Sequence, residues 1–384
     1  MTDDIWTVRR ALEWTQGYLG RHGDENPRVA AEWLLSEACG LTRIQLYLDL
    51  DRPLSEDERD VLRGWVARRG QGEPLQYISG EAPFRYLTLR VRPGVLIPRP
   101  ETEVLVSEAL ACLPPCAPRA AAWSEEAAQA EAAAVAALRE QLEALGDGER
   151  AAGERGDGAF VGVTESGDEG APAGRPGSAP EASDAPTATA AVGDPGAAPA
   201  STAGACAEER PYYLVADVCT GSGCIACAVA SERPDTRVIA TDLSPDAVAL
   251  ARENVEALGL ADSVRVLQGD LGEPIPERYL GRLDLVVSNP PYVPTAVLAE
   301  VPREVSGFEP TLALDGGADG LDVFRPLVAW AARALRPGGA LACELHEGHL
   351  DAAAAVAAQA GLVDARVVED LAGRPRVLVA RRPA

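Results

Sequence analysis

Lysine is absent: all 35 basic residues of the chain are arginine. Nothing in the pattern demands a planar guanidinium at every one of those positions, so the bias reads as coding composition rather than mechanism. Basic charge is also outnumbered, with 59 acidic residues and a net charge of −24. Between Pro115 and Glu209 the chain carries 17 acidic residues and 5 arginines, a balance of −12, which leaves −12 for the remainder. Neither part holds a dense basic stripe, which speaks against duplex nucleic acid as the main partner. No apolar run approaches the length of a membrane span, and the opening "MTDDIWTVRR" lacks the apolar core of a secretion signal. A soluble, cytoplasmic protein without a membrane partner is expected.

Two metal readings fail on spacing. Cys224 and Cys227 form a C-x-x-C, but none of the other cysteines, eight in all, makes a second pair at zinc-site spacing. They read as small buried residues packing a helix onto a sheet. The stretch "HEGH" at 346–349 has the wrong spacing for H-E-x-x-H and reads as a loop. No metal is expected.

What is present divides into parts. A chain of 384 residues suits two domains, or one large domain with an insertion. Helices are predicted near 5–21, 27–39, 42–49 and 56–69. Asn26-Pro27 supplies a cap and a first-turn proline, Ser55 and Glu58 a capping box, and Val61, Leu62, Trp65 and Val66 an apolar stripe. Residues 1–74 therefore read as a small helical bundle. In 75–97, Leu87, Leu89 and Val91 alternate with polar residues, and together with "QYIS" at 76–79 they predict a bridging β-hairpin. Pro98 and Pro100 fix an extended segment before a helix at about 101–113. Residues 98–384 form the main domain, interrupted at 114–209 by low-complexity sequence. Its stretch 119–145 is Ala/Glu-rich and could be helical; the rest is too poor in aromatic and branched apolar residues to bury a core and reads as disordered. From Tyr212 the pattern alternates strand and helix. Strands are predicted at 213–218, 237–241, 264–268, 283–288, 339–345, 363–369 and 376–381, with helices such as 223–232 and 245–258 between most of them. That is an open α/β sheet with helices on both faces and ligands at the carboxyl ends of its strands.

Four of those strand ends carry chemistry. The first runs into "VADVCTGSGCIACAVA", where a Gly-rich turn over Cys219, Thr220, Gly221, Ser222 and Gly223 opens a helix and turns backbone N–H groups toward a ligand. Such a turn fits a nucleotide, a dinucleotide or S-adenosylmethionine. Without a full G-x-G-x-x-G or a Walker lysine, hydride transfer and NTP hydrolysis lose ground. Asp242, past the second strand, is placed to accept from two ribose hydroxyls, because Ser244-Pro245 already supplies the next helix cap. Asp270 and Leu271, past the third, suit an adenine amino group and the face of its base. The fourth strand stops abruptly in "VVSNPPYVP". The Asn289 side-chain oxygen and the Pro290 carbonyl can both accept from one –NH₂ group. Pro290 and Pro291 stiffen the carbonyl direction, and Tyr292 offers a flat face. This is a socket holding a poor nitrogen nucleophile in line with a methyl donor.

With "NPPY" come four further stretches: "GEPLQYISGEAPFRYLTLRVRPGVLIPRPETEVLV", "TGSGCIACAVA", "FEPTLALDGGADGLDVFRPLV" and "DLAGRPRVLVARR". Together they resemble the release factor glutamine methyltransferase family across almost everything outside 114–209. The resemblance implies a Rossmann-like S-adenosylmethionine-dependent methyltransferase with a seven-stranded sheet and a small N-terminal helical domain that recognises substrate. It implies methyl transfer to the side-chain amide nitrogen (N5) of the glutamine in the Gly-Gly-Gln loop of class I peptide chain release factors. Asn289 to Tyr292 would hold that amide, and Cys219 to Gly223, Asp242, Leu271 and Asn289 fall where the family places its cofactor contacts. "IPRPETE" would lie near the methyl-transfer pocket. Two places depart from the family: Cys219 stands where glycine is frequent, and "CELHEG" replaces a Glu-Ile-Gly run, leaving Glu344 and His346 without a role. A glutamine methyltransferase of a ribosomal protein and a DNA adenine-N6 methyltransferase share the socket. The charge and the small helical domain weigh against the second, and no direct DNA binding is expected. A scaffold built around the acidic insertion would not need an intact "NPPY".

Overall fold

Side-chain oxygens start three of the N-terminal helices. The computed structural model describes residues 5–115 and 212–384, and all of these belong to one compact unit. Apart from Pro114 and Pro115, the insertion expected at 114–209, with its Ala/Glu-rich stretch, lies outside the described residues. Thr7 accepts the N–H of Arg10 at the start of α1 (Val8–Arg21). Thr42 and Ser55 form reciprocal capping boxes with Gln45 and Glu58 at the starts of α3 (Arg43–Leu48) and α4 (Glu56–Arg69). Each box satisfies two donors that helix geometry leaves without partners. Asn26 takes the cap position of α2 (Pro27–Cys39), but its side chain makes no capping bond; its own N–H donates to the Asp24 carboxylate at 2.8 Å.

Leu19, Leu34, Leu35, Leu46 and Val66 close the bundle core. Truncating a leucine so placed to alanine costs about 2–5 kcal/mol. Val61, expected on the same stripe, is 41% exposed, whereas Leu62 and Val66 are buried. Arg69 donates to Asp24 within the bundle at 2.6 Å, a nearly buried pair, and ties the bundle to the sheet region through the half-exposed Glu304 at 2.9 Å.

Residues 76–79 are not a strand of the hairpin. They belong to a short helix, α5 (Leu75–Ser79), which follows Pro74 and ends at Gly80 in the left-handed conformation. The hairpin pairs β1 (Glu81–Phe84) with β2 (Leu87–Arg90), in register Glu81↔Arg90 and Phe84↔Leu87. A four-residue apolar alternation fits a helical turn as well as a strand, and the left-handed glycine decides in favour of the helix by stopping it one residue later. Phe84 and Leu89 are fully buried in the same core as α6 (Thr102–Cys112).

The sheet has seven strands in the order β5-β4-β3-β6-β7-β9-β8. They are β3 (Tyr213–Val218), β4 (Thr236–Asp242), β5 (Val264–Gln268), β6 (Leu283–Ser288), β7 (Leu335–Glu344), β8 (Val363–Glu369) and β9 (Pro375–Arg381). The first five positions are parallel, and β9 runs antiparallel to both its neighbours. Only β7 starts well away from its expected place, at Leu335 rather than 339.

Side chains alternate between the faces of the sheet, as strand geometry requires. Val215, Leu285 and Val287 face α6, α7 (Cys224–Glu232) and α8 (Pro245–Ala257); Cys224 and Cys227 lie in this core, as expected. Ala216, Val286 and Leu341 face α10 (Phe324–Ala334) and α11 (Leu350–Gln359), with α9 (Arg303–Ser306) lying in the loop after β6. The chain leaves β3 toward β4 on one side and returns to β6 on the other. This reversal of strand order opens a crevice at the carboxyl ends of β3 and β6.

Candidate active site

The turn after β3 is organised around a buried carboxylate. Asp217 Oδ2 accepts from the Thr220 hydroxyl at 2.5 Å and from the Ala226 N–H at 3.0 Å. Its Oδ1 is buried and has no partner. Burial without a cation pushes the Asp217 carboxyl up to about 7. Gly221 and Gly223 have φ of 56° and 82°. A Cβ on Gly223 would meet Ala251 Cβ at 3.1 Å, so glycine lets α7 pack against α8. Cys219 takes φ 60° with a side chain, a strained conformation that also recurs at Leu271, φ 45°.

Asp242 closes that turn from β4. Its Oδ2 accepts the Gly221 N–H at 2.8 Å and its Oδ1 the Ser244 N–H at 2.9 Å. Ser244 caps α8 through Ala247, as expected. A carboxylate has room for about four hydrogen bonds, so Asp242 keeps acceptor capacity while fixing the loop. Burial raises its pKa, and the backbone N–H groups of Gly221, Ser244 and Leu243 oppose that rise.

Cys219, Gly221, Asp242, Asp270, Leu271, Asn289 and Pro291 all line one cavity. Thr220, Ser222 and Gly223 do not; Thr220 and Ser222 are buried within the turn. The Thr220 hydroxyl is spent on Asp217, so its side chain shapes the cavity from behind. Sequence reading missed the opposite wall, formed by Gly94, Val95 and Leu96 with Leu312, Ala313 and Asp315. Leu243 and Leu312, 52% and 56% exposed, line this cavity, which gives it an apolar surface suited to a flat base. An apolar cleft with an acceptor at Asp242 and a second carboxylate at Asp270 has the polarity of S-adenosylmethionine: a base, a ribose diol and a cationic end.

A second cavity adjoins the first. Arg99, Pro290, Tyr292 and Val293 line it, and Leu96, Asn289 and Ala313 are shared by both. The Asn289 Nδ2 donates to the Thr102 hydroxyl oxygen at 3.1 Å. That bond turns the acceptor oxygen of the same amide away from Thr102. The Tyr292 hydroxyl donates to Glu344 at 3.3 Å, and burial pushes its pKa upward, so the ring stays neutral. Arg99 is held by Glu309 at 2.6 Å.

The Asn289–Tyr292 segment is clasped from the far side. Val293 N–H donates to Leu314 and Gly316 N–H to Val293, both at 2.8 Å. Gly316 lies so close to Tyr292 that a Cβ there would meet its Cα at 2.7 Å. The "LDGGADGLD" stretch carried a resemblance, but nothing in its local sequence says which backbone its glycines approach. Asn254 and Glu344 were likewise missed as parts of the site, whereas Thr102 lies in the "IPRPETE" segment expected near the pocket. "HEGH" is a loop, as expected, with His346 exposed and the two histidine rings 5.2 Å apart.

The chain is similar to known proteins over nearly its whole length. The sequence pattern of the PrmC N-terminal domain matches residues 10–80, and that of the methyltransferase small domain matches residues 207–301. The release factor glutamine methyltransferase of Geobacter sulfurreducens is 35% identical over 378 residues, covering 98% of each chain. That of Moorella thermoacetica is 34% identical over 377 residues, covering 98% of this chain and 99% of its own. That of Rhodopirellula baltica is 32% identical, with 98% and 96% covered. With identity of this level over nearly the whole of both chains, the chain belongs to the release factor glutamine methyltransferase family.

Proposed function

We propose that this enzyme transfers a methyl group from S-adenosylmethionine to the side-chain amide nitrogen of the glutamine in the Gly-Gly-Gln loop of class I release factors. The observation that carries the reading is the shared wall. Asn289 stands between an apolar, acid-lined cavity suited to the methyl donor and a second cavity lined by Pro290 and Tyr292. Its Nδ2 is occupied by Thr102, which leaves the side-chain oxygen for a donor that enters from the second cavity.

Each residue then has a task. Cys219 and Gly221 line the donor pocket, while Thr220, Ser222 and Gly223 hold the turn in shape. Asp242 would accept from the ribose hydroxyls, Asp270 from the adenine amino group, and Leu271 would pack on the base. Asp217 would receive the amino-acid end through its free oxygen. Bound S-adenosylmethionine supplies a methyl group already activated by its sulfonium, so no acid is needed to release it. The protein's task is to present the amide. Asn289 and the Pro290 carbonyl would each accept one N–H of the target –NH₂, Pro291 would stiffen the segment and the Tyr292 ring would flank the amide plane. Both hydrogen bonds strengthen as positive charge grows on nitrogen, so they favour the transition state over the ground state. The extra proton can leave to water.

We assign residues 1–74 to recognition of the release factor and 75–97 to the link with the catalytic domain. The reaction requires only soluble, cytoplasmic partners. The test is methyl transfer from labelled S-adenosylmethionine to a purified release factor, beside a release factor whose Gly-Gly-Gln glutamine is replaced. Label on the first alone is expected. Label on both moves the site elsewhere on the factor; label on neither, with the donor still bound, moves the substrate to a ribosomal protein.

A further inference from the structure

One buried carboxylate near the socket is not used above. Glu344 ends β7 and is 1% exposed. Its Oε1 accepts from the Tyr292 hydroxyl at 3.3 Å, its Oε2 is buried without a hydrogen-bond partner, and the Thr102 hydroxyl is the nearby donor that favours its ionised form. Thr102, itself 2% exposed, receives the Asn289 Nδ2 at 3.1 Å. One acid therefore sits behind both side chains of the socket.

The logic of donors and acceptors gives this arrangement a direction. An ionised carboxylate only accepts, and a threonine hydroxyl has a single hydrogen. Once that hydrogen points to Glu344, Thr102 has only lone pairs to offer Asn289. The Asn289 amide must then turn its –NH₂ toward Thr102 and its oxygen toward the acceptor cavity. The two ends of a side-chain amide are nearly equal in shape, so only such a partner distinguishes them. With the amide reversed, the socket would meet the substrate –NH₂ with another –NH₂ and bind it badly.

We infer that Glu344 is the positioning residue of the acceptor socket, fixing the orientation of the Asn289 amide through Thr102 and the ring of Tyr292 directly. This rests on the reading of Asn289–Tyr292 as the socket. The charged groups that face Glu344 are Arg376 from β9, which favours its ionised form, and Glu101 from the start of α6, which disfavours it; burial dominates and brings it to about 7. A protonated Glu344 could donate to Thr102 and free the amide to reverse.

The experiment compares wild type, Glu344→Gln, Thr102→Val, Thr102→Ser, the Glu344→Gln/Thr102→Val double variant and Asn289→Ala. Turnover with release factor is read across pH 5.5–8.5, about one and a half units either side of the expected transition, and donor affinity by calorimetry. Glu344→Gln is expected to lower kcat by about tenfold or more with donor affinity within about twofold. The rise of kcat through about pH 7 in wild type disappears in this variant. Thr102→Val shows a similar loss, Thr102→Ser recovers most of it, and the double variant is no worse than the weaker single. Wild-type turnover in Glu344→Gln beside an inactive Asn289→Ala overturns the inference and leaves the socket standing, as do losses that multiply in the double variant. An active Asn289→Ala overturns the socket itself. If Glu344→Gln does not fold, the Thr102 pair decides: wild-type turnover in Thr102→Val ends the proposal.

Discussion

Asn254 of α8 forms a closed pair of hydrogen bonds with the backbone of Arg90: Oδ1 accepts its N–H at 2.8 Å and Nδ2 donates to its carbonyl at 3.0 Å. The second hydrogen of the same –NH₂ goes to the Ser222 carbonyl at 2.9 Å. One buried amide thus fastens the hairpin and the glycine turn to a single helix. Replacing Asn254 by alanine removes three bonds and leaves one buried and two part-buried backbone groups without these partners. At about 1 kcal/mol for each lost bond, a loss of roughly 3 kcal/mol is expected. In thermal unfolding that is a fall of about 5–10 °C, and donor affinity falls with it because the turn loosens.

Asp242 is expected to weaken donor binding on substitution by asparagine, although the two are the same size. Both its oxygens already accept backbone N–H groups, so an amide must set its –NH₂ against either Gly221 or Ser244. Loss of charge-assisted bonds to a ribose adds about 1.5–3 kcal/mol. Calorimetry should show donor affinity down by about tenfold or more; unchanged affinity would remove Asp242 from the donor site.

Asp217→Asn is expected to act in the opposite sense on stability. In the folded protein this carboxyl stands at about 7, against about 3.9 in an unfolded chain. The folded state holds the proton more tightly, so the contribution to stability is full below about pH 4, falls as pH rises toward 7, and is flat beyond. Each tenfold difference in proton affinity is about 1.4 kcal/mol, which puts the penalty on the order of 3–4 kcal/mol above pH 7. Asparagine keeps an acceptor for Thr220 and Ala226 without carrying the charge. At pH 8 the variant should melt above wild type without donor and bind the donor more weakly, a trade between stability and function. Equal donor affinity would show that the free Oδ1 does not serve the cationic end.

Gly316→Ala tests the clasp behind the socket. Its Cβ would lie 2.7 Å from Tyr292 Cα and 2.9 Å from Gly320 Cα, backbone atoms that cannot rotate away. Overpacking of this kind costs about 1–3 kcal/mol, and a displacement of about 1 Å at a reacting centre can cost about a hundredfold in rate. Turnover should therefore collapse while donor affinity, set mainly by β3, β4 and β5, is largely kept.

The parts legible in the sequence were those written in local chemistry. Ser55 and Glu58 form their box, and Ser244 caps α8. β3, β5, β6 and β8 begin and end as their apolar runs and flanking turns predict. The cavity-lining residues at strand ends were legible because an α/β sheet delivers such residues to one edge. What was hidden depends on partners far along the chain. Asn289 finds Thr102 across 187 positions and Asn254 finds Arg90 across 164. Neither threonine nor asparagine carries a local sign of such a bond: Thr102 falls in the "IPRPETE" segment expected near the pocket but without a named partner, and Asn254 reads as one polar residue on a helix. The "QYIS" error was of another kind. Four residues hold too little periodicity to separate a turn of helix from a strand, and Gly80 carried the deciding signal.

The wall between the two cavities is made of Leu96, Asn289 and Ala313. None of the three is a nucleophile, and burial keeps the Cys219 thiol of the donor cavity protonated, so the wall offers the methyl carbon no resting place between donor and acceptor. A single crossing follows, with both substrates on the enzyme together: initial-rate plots that intersect rather than run parallel, and a chiral methyl group whose handedness is inverted once in the product.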